Sequence, residues 1–204
     1  MRVIYSYVLI LFTGLLIPLQ LSAQDAETLI DADVGHGGFG SLVFGVSSIN
    51  GEAAYMRGTR GAWVLKFQDG HSLNIGLAGY RSQNEFSAIN WTNEDIDEPE
   101  LRTNYGGLEL EYINSSHQLV HVGVQALIGS GNVRYSDRNL GLEDTSDNYF
   151  VVQPGVNVNL NITNWFRASG GVFYRHTSGV NLEGTDNSGL SGFSSFIGLR
   201  FGSF

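Results

Sequence analysis

His176 and Ser178 stand two residues apart, and Glu183 follows closely. In an extended chain residues i and i+2 share a face. The imidazole could then take the hydroxyl proton while the carboxylate orients the ring, the chemistry of an activated serine nucleophile. The pattern is short, and the competing reading is an imidazole at a loop edge. A second group, Glu85, Glu94, Asp95, Asp97, Glu98 and Glu100, gathers carboxylates around Trp91 and Pro99. Carboxylates in number suit Ca²⁺, but the spacing and internal glycine of a calcium loop are missing. A solvated acidic surface loop is the expectation. A third set, Glu109, Glu111, Arg167, Arg175 and Arg200, with Arg57 or Arg60 as further candidates, lies inside apolar-alternating segments. Charges there must pair to recover their desolvation cost. The histidines His36, His71, His117 and His121 have no metal-ligand spacing, so neither a metal nor a cofactor is expected.

Eight segments of period two must position these groups: 38–48, 52–67, 71–82, 101–113, 119–135, 148–162, 165–177 and 190–204. In the sixth, Phe150, Val152, Val156, Val158, Leu160 and Ile162 alternate with Gln153, Gly155, Asn157, Asn159 and Asn161. A strand turns such a sequence into one oily and one polar face. A helix would repeat its apolar residues at i, i+3 and i+4, which no segment sustains. The connectors 83–100, 136–147 and 178–189 are long, and those at 68–70, 114–118 and 163–164 are short. In an up-and-down meander the three long ones share one end, with the 49–51 turn, and the three short ones share the other. Short periplasmic turns opposite longer outer loops are the pattern of outer-membrane barrels. Asn50-Gly51 and Asp69-Gly70 suit tight hairpins.

Arg2, the apolar run from Val8 to Ile17, and Ser22-Ala23 read as a signal peptide. The alternative, a membrane anchor, is short of the roughly 20 apolar residues a span requires, because Pro18 and Gln24 interrupt it. The expected plan is therefore a signal peptide at 1–23, a short periplasmic segment at 24–35, and one barrel at 36–204. The absence of cysteine excludes a disulfide scaffold. A net charge of −9, one unit more negative without residues 1–23, argues against a nucleic-acid partner.

Alternation alone does not say which face meets lipid. A soluble barrel buries its apolar set, and a membrane barrel buries its polar set. The polar faces are rich in glycine and amides, the chain has a single lysine (Lys66), and aromatics such as Trp63, Phe67, Tyr112, Phe150, Trp165 and Tyr174 fall near strand ends. Interfacial girdles sit there, so the polar set is expected inside. Eight strands leave room for side chains alone, and Glu109 and Glu111 should meet arginines in a salt-bridged plug rather than line an ion path. The last segment ends on Phe201 and Phe204, the terminal aromatics that outer-membrane barrels present to their insertion machinery. Phe204 is out of phase with Phe201 and Leu199, which a bulge at Gly202 would repair.

The segments 58–63, 74–80, 105–112, 153–159, 164–167 and 199–204 resemble small outer-membrane barrel proteins of the Bacteroidetes type. The resemblance runs from about residue 36 to the end and implies location and architecture without a catalytic residue. Separately, the His176/Ser178/Glu183 set is similar to the arrangement in outer-membrane lipid A deacylases, although the asparagine expected after the serine is missing. The sequence thus leads to an all-β, eight-stranded antiparallel up-and-down transmembrane β-barrel in the outer membrane, with membrane lipid and the insertion machinery as partners. Its expected role is structural or surface-interacting and non-enzymatic. A lipid A deacylase-like hydrolase and a soluble periplasmic ligand-binding barrel are the alternatives.

Overall fold

The computed structural model describes residues 34–92, 97–137 and 145–204. The expected signal peptide, nearly all of the 24–35 segment, and Glu94 and Asp95 lie outside these residues. Eight long strands follow the period-two segments: β1 (Gly35–Ile49), β2 (Glu52–Lys66), β3 (Ser72–Ser82), β5 (Glu100–Ile113), β6 (Val120–Tyr135), β7 (Ser146–Asn161), β8 (Phe166–Ser178) and β9 (Gly192–Ser203). Two small elements lie in the connectors, the two-residue strand β4 (Phe86–Ser87) and the helical turn α1 (Asn187–Leu190). Every pairing is antiparallel, and β1 pairs with both β2 and β9, which closes the sheet into an eight-stranded barrel. A closed barrel has no edge, so the ladder can satisfy its backbone polar groups without water.

Burial alternates as the sequence does. Along β6, His121, Gly123, Gln125 and Leu127 are buried, and Val120, Val122, Val124 and Ile128 are exposed. The outward face is a belt of Leu, Val, Ile and Phe, with Leu77 68% and Ile197 63% exposed. Trp63, Tyr112, Trp165 and Phe201 ring its short-turn end, where Phe201 stacks on Phe166 with ring centroids 4.9 Å apart. Tyr55, Tyr174 and Phe193 occupy the long-connector end. Such a surface is stable against hydrocarbon and would drive aggregation in water.

The inside has two layers. Nearer the short turns it is polar, holding Arg60, Asn74, Glu109, Glu111, Asn157 and Arg200. Nearer the long connectors it is apolar and aromatic, built on Tyr80, Tyr105, Leu127, Tyr149, Phe173 and Phe196. Two inward glycines make room for the Phe173 ring: a Cβ on Gly155 would lie 2.1 Å from it, and one on Gly171 2.9 Å. Above this layer Phe86, Ala88, Val180, Leu182 and Leu190 join the same core, so residues 83–92 and 179–191 fold over the barrel mouth. Asn50 holds them there. It adopts φ 48 in the β1–β2 turn, its amide nitrogen donates to Gly189 O (2.8 Å), and its Nδ2 donates to Ser87 O (2.9 Å) and Gly184 O (3.1 Å). Thr185 Oγ1 donates back to its Oδ1 at 2.9 Å.

The chain contains no cysteine, so single cysteines report which end faces outward. A membrane-impermeant maleimide added to intact cells is expected to label Glu98→Cys and Asn181→Cys. Asn114→Cys and Thr163→Cys should react only after the membrane is permeabilised. The opposite pattern would reverse the barrel.

Candidate functional site

A carboxylate buried in a barrel needs its lone pairs filled by donors held on neighbouring strands. Glu109 and Glu111 are two apart on β5 and both point inward. Arg200 of β9 grips Glu111 in a fork, Nη1 to Oε2 at 2.9 Å and Nη2 to Oε1 at 2.8 Å. Arg60 of β2 donates Nε to Glu109 Oε1 (2.6 Å) and Nη2 to Glu111 Oε2 (3.2 Å). Amides complete the shell: Asn74 Nδ2 and Asn157 Nδ2 reach Glu111 at 2.9 and 2.7 Å, and Gln125 Nε2 reaches Glu109 at 2.7 Å. Both guanidinium groups also lie over the Phe39 ring, 5.7 Å away for Arg60 and 5.2 Å for Arg200. Two carboxylates and two guanidiniums make a formally neutral cluster, all four side chains almost wholly buried.

The structure divides the arginines of the sequence analysis. Arg60 and Arg200 meet the carboxylates; Arg167 and Arg175 do not, although both are inward and buried. Arg175 sits higher, in the apolar layer, and donates to Leu190 O (2.6 Å), Ser47 Oγ (2.8 Å) and Ser48 O (3.1 Å) with its guanidinium over Tyr105. It binds the last connector to the barrel wall. Arg167 sits at the short-turn mouth, donates to Ser116 O at 3.1 Å and packs on Phe204 at 4.1 Å. Arg57 faces outward. The β1–β9 register runs unbroken through Phe39↔Gly202 and Gly38↔Ser203, so no bulge corrects the phase of Phe204. Its ring goes to Arg167 and Phe39 at the mouth (centroids 5.8 Å from Phe39), while Phe201 faces out.

The serine-nucleophile set does not assemble. His176 is exposed on β8, and no hydrogen bond joins it to Ser178 or Glu183 among the described residues. Glu183 instead accepts from Thr92, from N at 3.2 Å and Oγ1 at 2.5 Å. In the acidic connector, Glu85 accepts from Arg102 Nε (2.9 Å) and Ser136 Oγ (2.6 Å). A hydrogen bond with Glu100, then those with Ser136 and Arg102, pull its carboxyl down from 4.5 to about 2. Among the described residues no group of three or more His, Asp or Glu could hold a metal ion. Arg60, only a further candidate in the sequence, is the principal partner of Glu109, and the apolar half of the interior was not foreseen. The signal for the latter was present, because Tyr80, Tyr105, Phe173 and Phe196 all carry inward parity.

An apolar belt outside a closed sheet and a paired carboxylate–guanidinium cluster within it define a membrane-spanning β-barrel, and this one is an outer-membrane protein. Among solved structures the chain is similar to Neisserial surface protein A, with 12% identity, TM-score 0.52, and 81% of this chain and 96% of that one covered. It is also similar to Ail, the attachment invasion locus protein of Yersinia pestis, with 11% identity, TM-score 0.54, and 82% and 98% covered. Ail in complex with the heparin analogue sucrose octasulfate matches at 12% identity and TM-score 0.51, over 82% of this chain and 98% of that one. These likenesses are of fold. No family model and no curated protein matches the chain.

Replacing Arg200 by Leu strands Glu111 and is expected to cost about 3–5 kcal/mol in denaturant unfolding from bilayers. The double variant Arg200→Leu/Glu111→Leu should recover part of that loss. A single-variant effect within about 0.5 kcal/mol would remove the cluster's structural role. At the rim, the bonds from Ser136 and Arg102 to ionised Glu85 support its connector, and this support is present above about pH 4.5 and lost as pH falls towards 2. Glu100, raised by the same carboxylate, offsets the part of the shift that the two acids share. Protection of residues 83–92 from hydrogen exchange, taken relative to the intrinsic rate at each pH, should therefore fall between those values, modestly because the pair is exposed to solvent. Glu85→Gln should abolish the dependence.

Proposed function

We propose that this protein is a small outer-membrane barrel with a plugged, salt-bridged interior, acting as a structural or surface-interaction element without catalysis. The observation that carries this reading is the filled lumen. A neutral Arg–Glu–amide cluster occupies one half and an aromatic core the other, under a lid made by two connectors. Charges paired in this way, with an aromatic layer above them, favour a plug over an ion path. The exposed loop end supports an interaction role, as do fold neighbours described as a surface protein and as an attachment invasion locus protein that binds a heparin analogue. The glycine-patterned strand motifs support placement among barrels of the Bacteroidetes type. Membrane lipid is the constant partner, and Phe201, on the lipid face, fits a contact with the insertion machinery better than Phe204 does.

The hydrolase alternative is weakened because no hydrogen bond joins His176 to Ser178 or Glu183 among the described residues, and Glu183 is engaged by Thr92. Lipid A extracted from cells expressing wild type and Ser178→Ala is expected to carry the same acyl chains by mass spectrometry. An acyl chain missing with wild type and restored with the variant would overturn the non-catalytic reading. In planar bilayers the purified barrel should show no steady conductance.

A further inference from the structure

Among the described residues every outward-facing arginine lies on four adjacent strands. Arg57 is on β2, Arg81 on β3, Arg102 on β5 and Arg134 on β6. All four are close to the long-connector end. Two pairs are directly opposed across the ladder, Arg57↔Arg81 and Arg102↔Arg134, and like charges placed so repel. Among the described residues Glu85 pairs with Arg102 at 2.5 Å, and Glu100 lies within electrostatic reach of the same arginine. Arg57, Arg81 and Arg134 form no ion pair among the described residues. In a chain of net charge −9 this is a concentrated cationic patch, and it costs stability unless an anion covers it.

The surface around the patch has two joined depressions. The β3–β5 ladder ends at Arg81↔Asn104, and beyond that point a polar notch of about 350 Å³ opens between Arg81, Arg102, Arg134 and Thr103. Towards mid-membrane a groove of about 690 Å³ runs between Leu42, Phe44, Thr59, Gly79 and Gly106. Arg81 and Asn104 border both. The groove floor is bare by choice of residue: a Cβ on Gly79 would meet nothing nearer than Tyr105 O at 4.0 Å. A side chain fits there, and none is present.

We propose that this face binds a phosphorylated lipid of the outer leaflet, its phosphate in the arginine notch and one acyl chain along the glycine-floored groove. Guanidinium forks match phosphate oxygens in charge and geometry. The position, a cationic notch above an apolar channel on a belt that faces lipid, selects an anion with a tail over a free one. The proposal rests on the outer-membrane reading with the long connectors outward.

The test compares wild type, Arg81→Gln/Arg134→Gln, Gly79→Leu and, on the far side of the barrel, Val172→Leu. Each is purified from outer membranes, checked for heat-modifiable gel mobility, and assayed by native mass spectrometry for retained bisphosphorylated lipid A. Each is then titrated in phosphatidylcholine vesicles carrying lipid A or its dephosphorylated form. Wild type and Val172→Leu should retain phosphorylated lipid A. The double arginine variant should bind it at least about tenfold more weakly, as loss of charge-assisted hydrogen bonds implies. Gly79→Leu should weaken it with every arginine in place. Equal retention by all four proteins, equal affinity for the dephosphorylated lipid, or displacement by millimolar inorganic phosphate would each overturn the lipid site. Loss of the mobility shift in wild type would instead overturn the barrel reading itself.

Discussion

Glu111 is where the inside of this barrel is decided. An ionised carboxylate cut off from water must be surrounded by donors, and here they come from Arg60 on β2, Asn74 on β3, Asn157 on β7 and Arg200 on β9. One side chain on β5 thereby connects strands that are not neighbours in the sheet. Backbone ladders join each strand only to the next; this cluster crosses the lumen. It also specifies register, since slipping any strand by one residue would turn its donor to the lipid side. The aromatic layer above borders on it directly, because the Tyr80 hydroxyl donates to Glu109 Oε2 at 3.4 Å.

The alternation of apolar and polar residues made the strands legible, and the lengths of the connectors made their ends legible. What parity leaves out is height. Arg175 and Arg200 both point inward, but strand tilt and stagger decide that Arg200 lies level with Glu111 and Arg175 level with Leu190. Stagger is a property of the closed sheet, not of any one segment, which is why Arg60 went unranked and Arg167 and Arg175 were grouped with the carboxylates. Phe204 is the opposite case. Its parity in the sequence already pointed inward, and the structure uses it so, against Arg167 at the mouth. The bulge was an unneeded repair. In the loops, Phe86 and Leu182 belong to connectors whose length alone entered the sequence reading, because nothing local tells a chain that its loop folds over its own barrel.

The fold neighbours retain barely a tenth of the same residues and still share the closed barrel. This is what physical constraint predicts. Lipid outside, alternation along each strand and tight turns at one end admit many sequences, provided the buried charges find partners. The interior solution therefore carries more of this protein's individuality than its outline does.

Surface loops of bacterial barrels are usually thought of as independent segments, free to lengthen and diverge under pressure from outside. Asn50 denies that freedom here. With one side chain bonded to Ser87, Gly184 and Thr185 and its backbone to Gly189, the first turn, the third connector and the last connector share a single anchor. A length change beside any of these contacts is felt by the other two, so the outer face should diversify as one coordinated surface. For anyone displaying a foreign peptide on this scaffold, the consequence is practical. An insert beside Ser87 or Gly184 would unseat the lid, and the tolerant sites are those farthest from that asparagine.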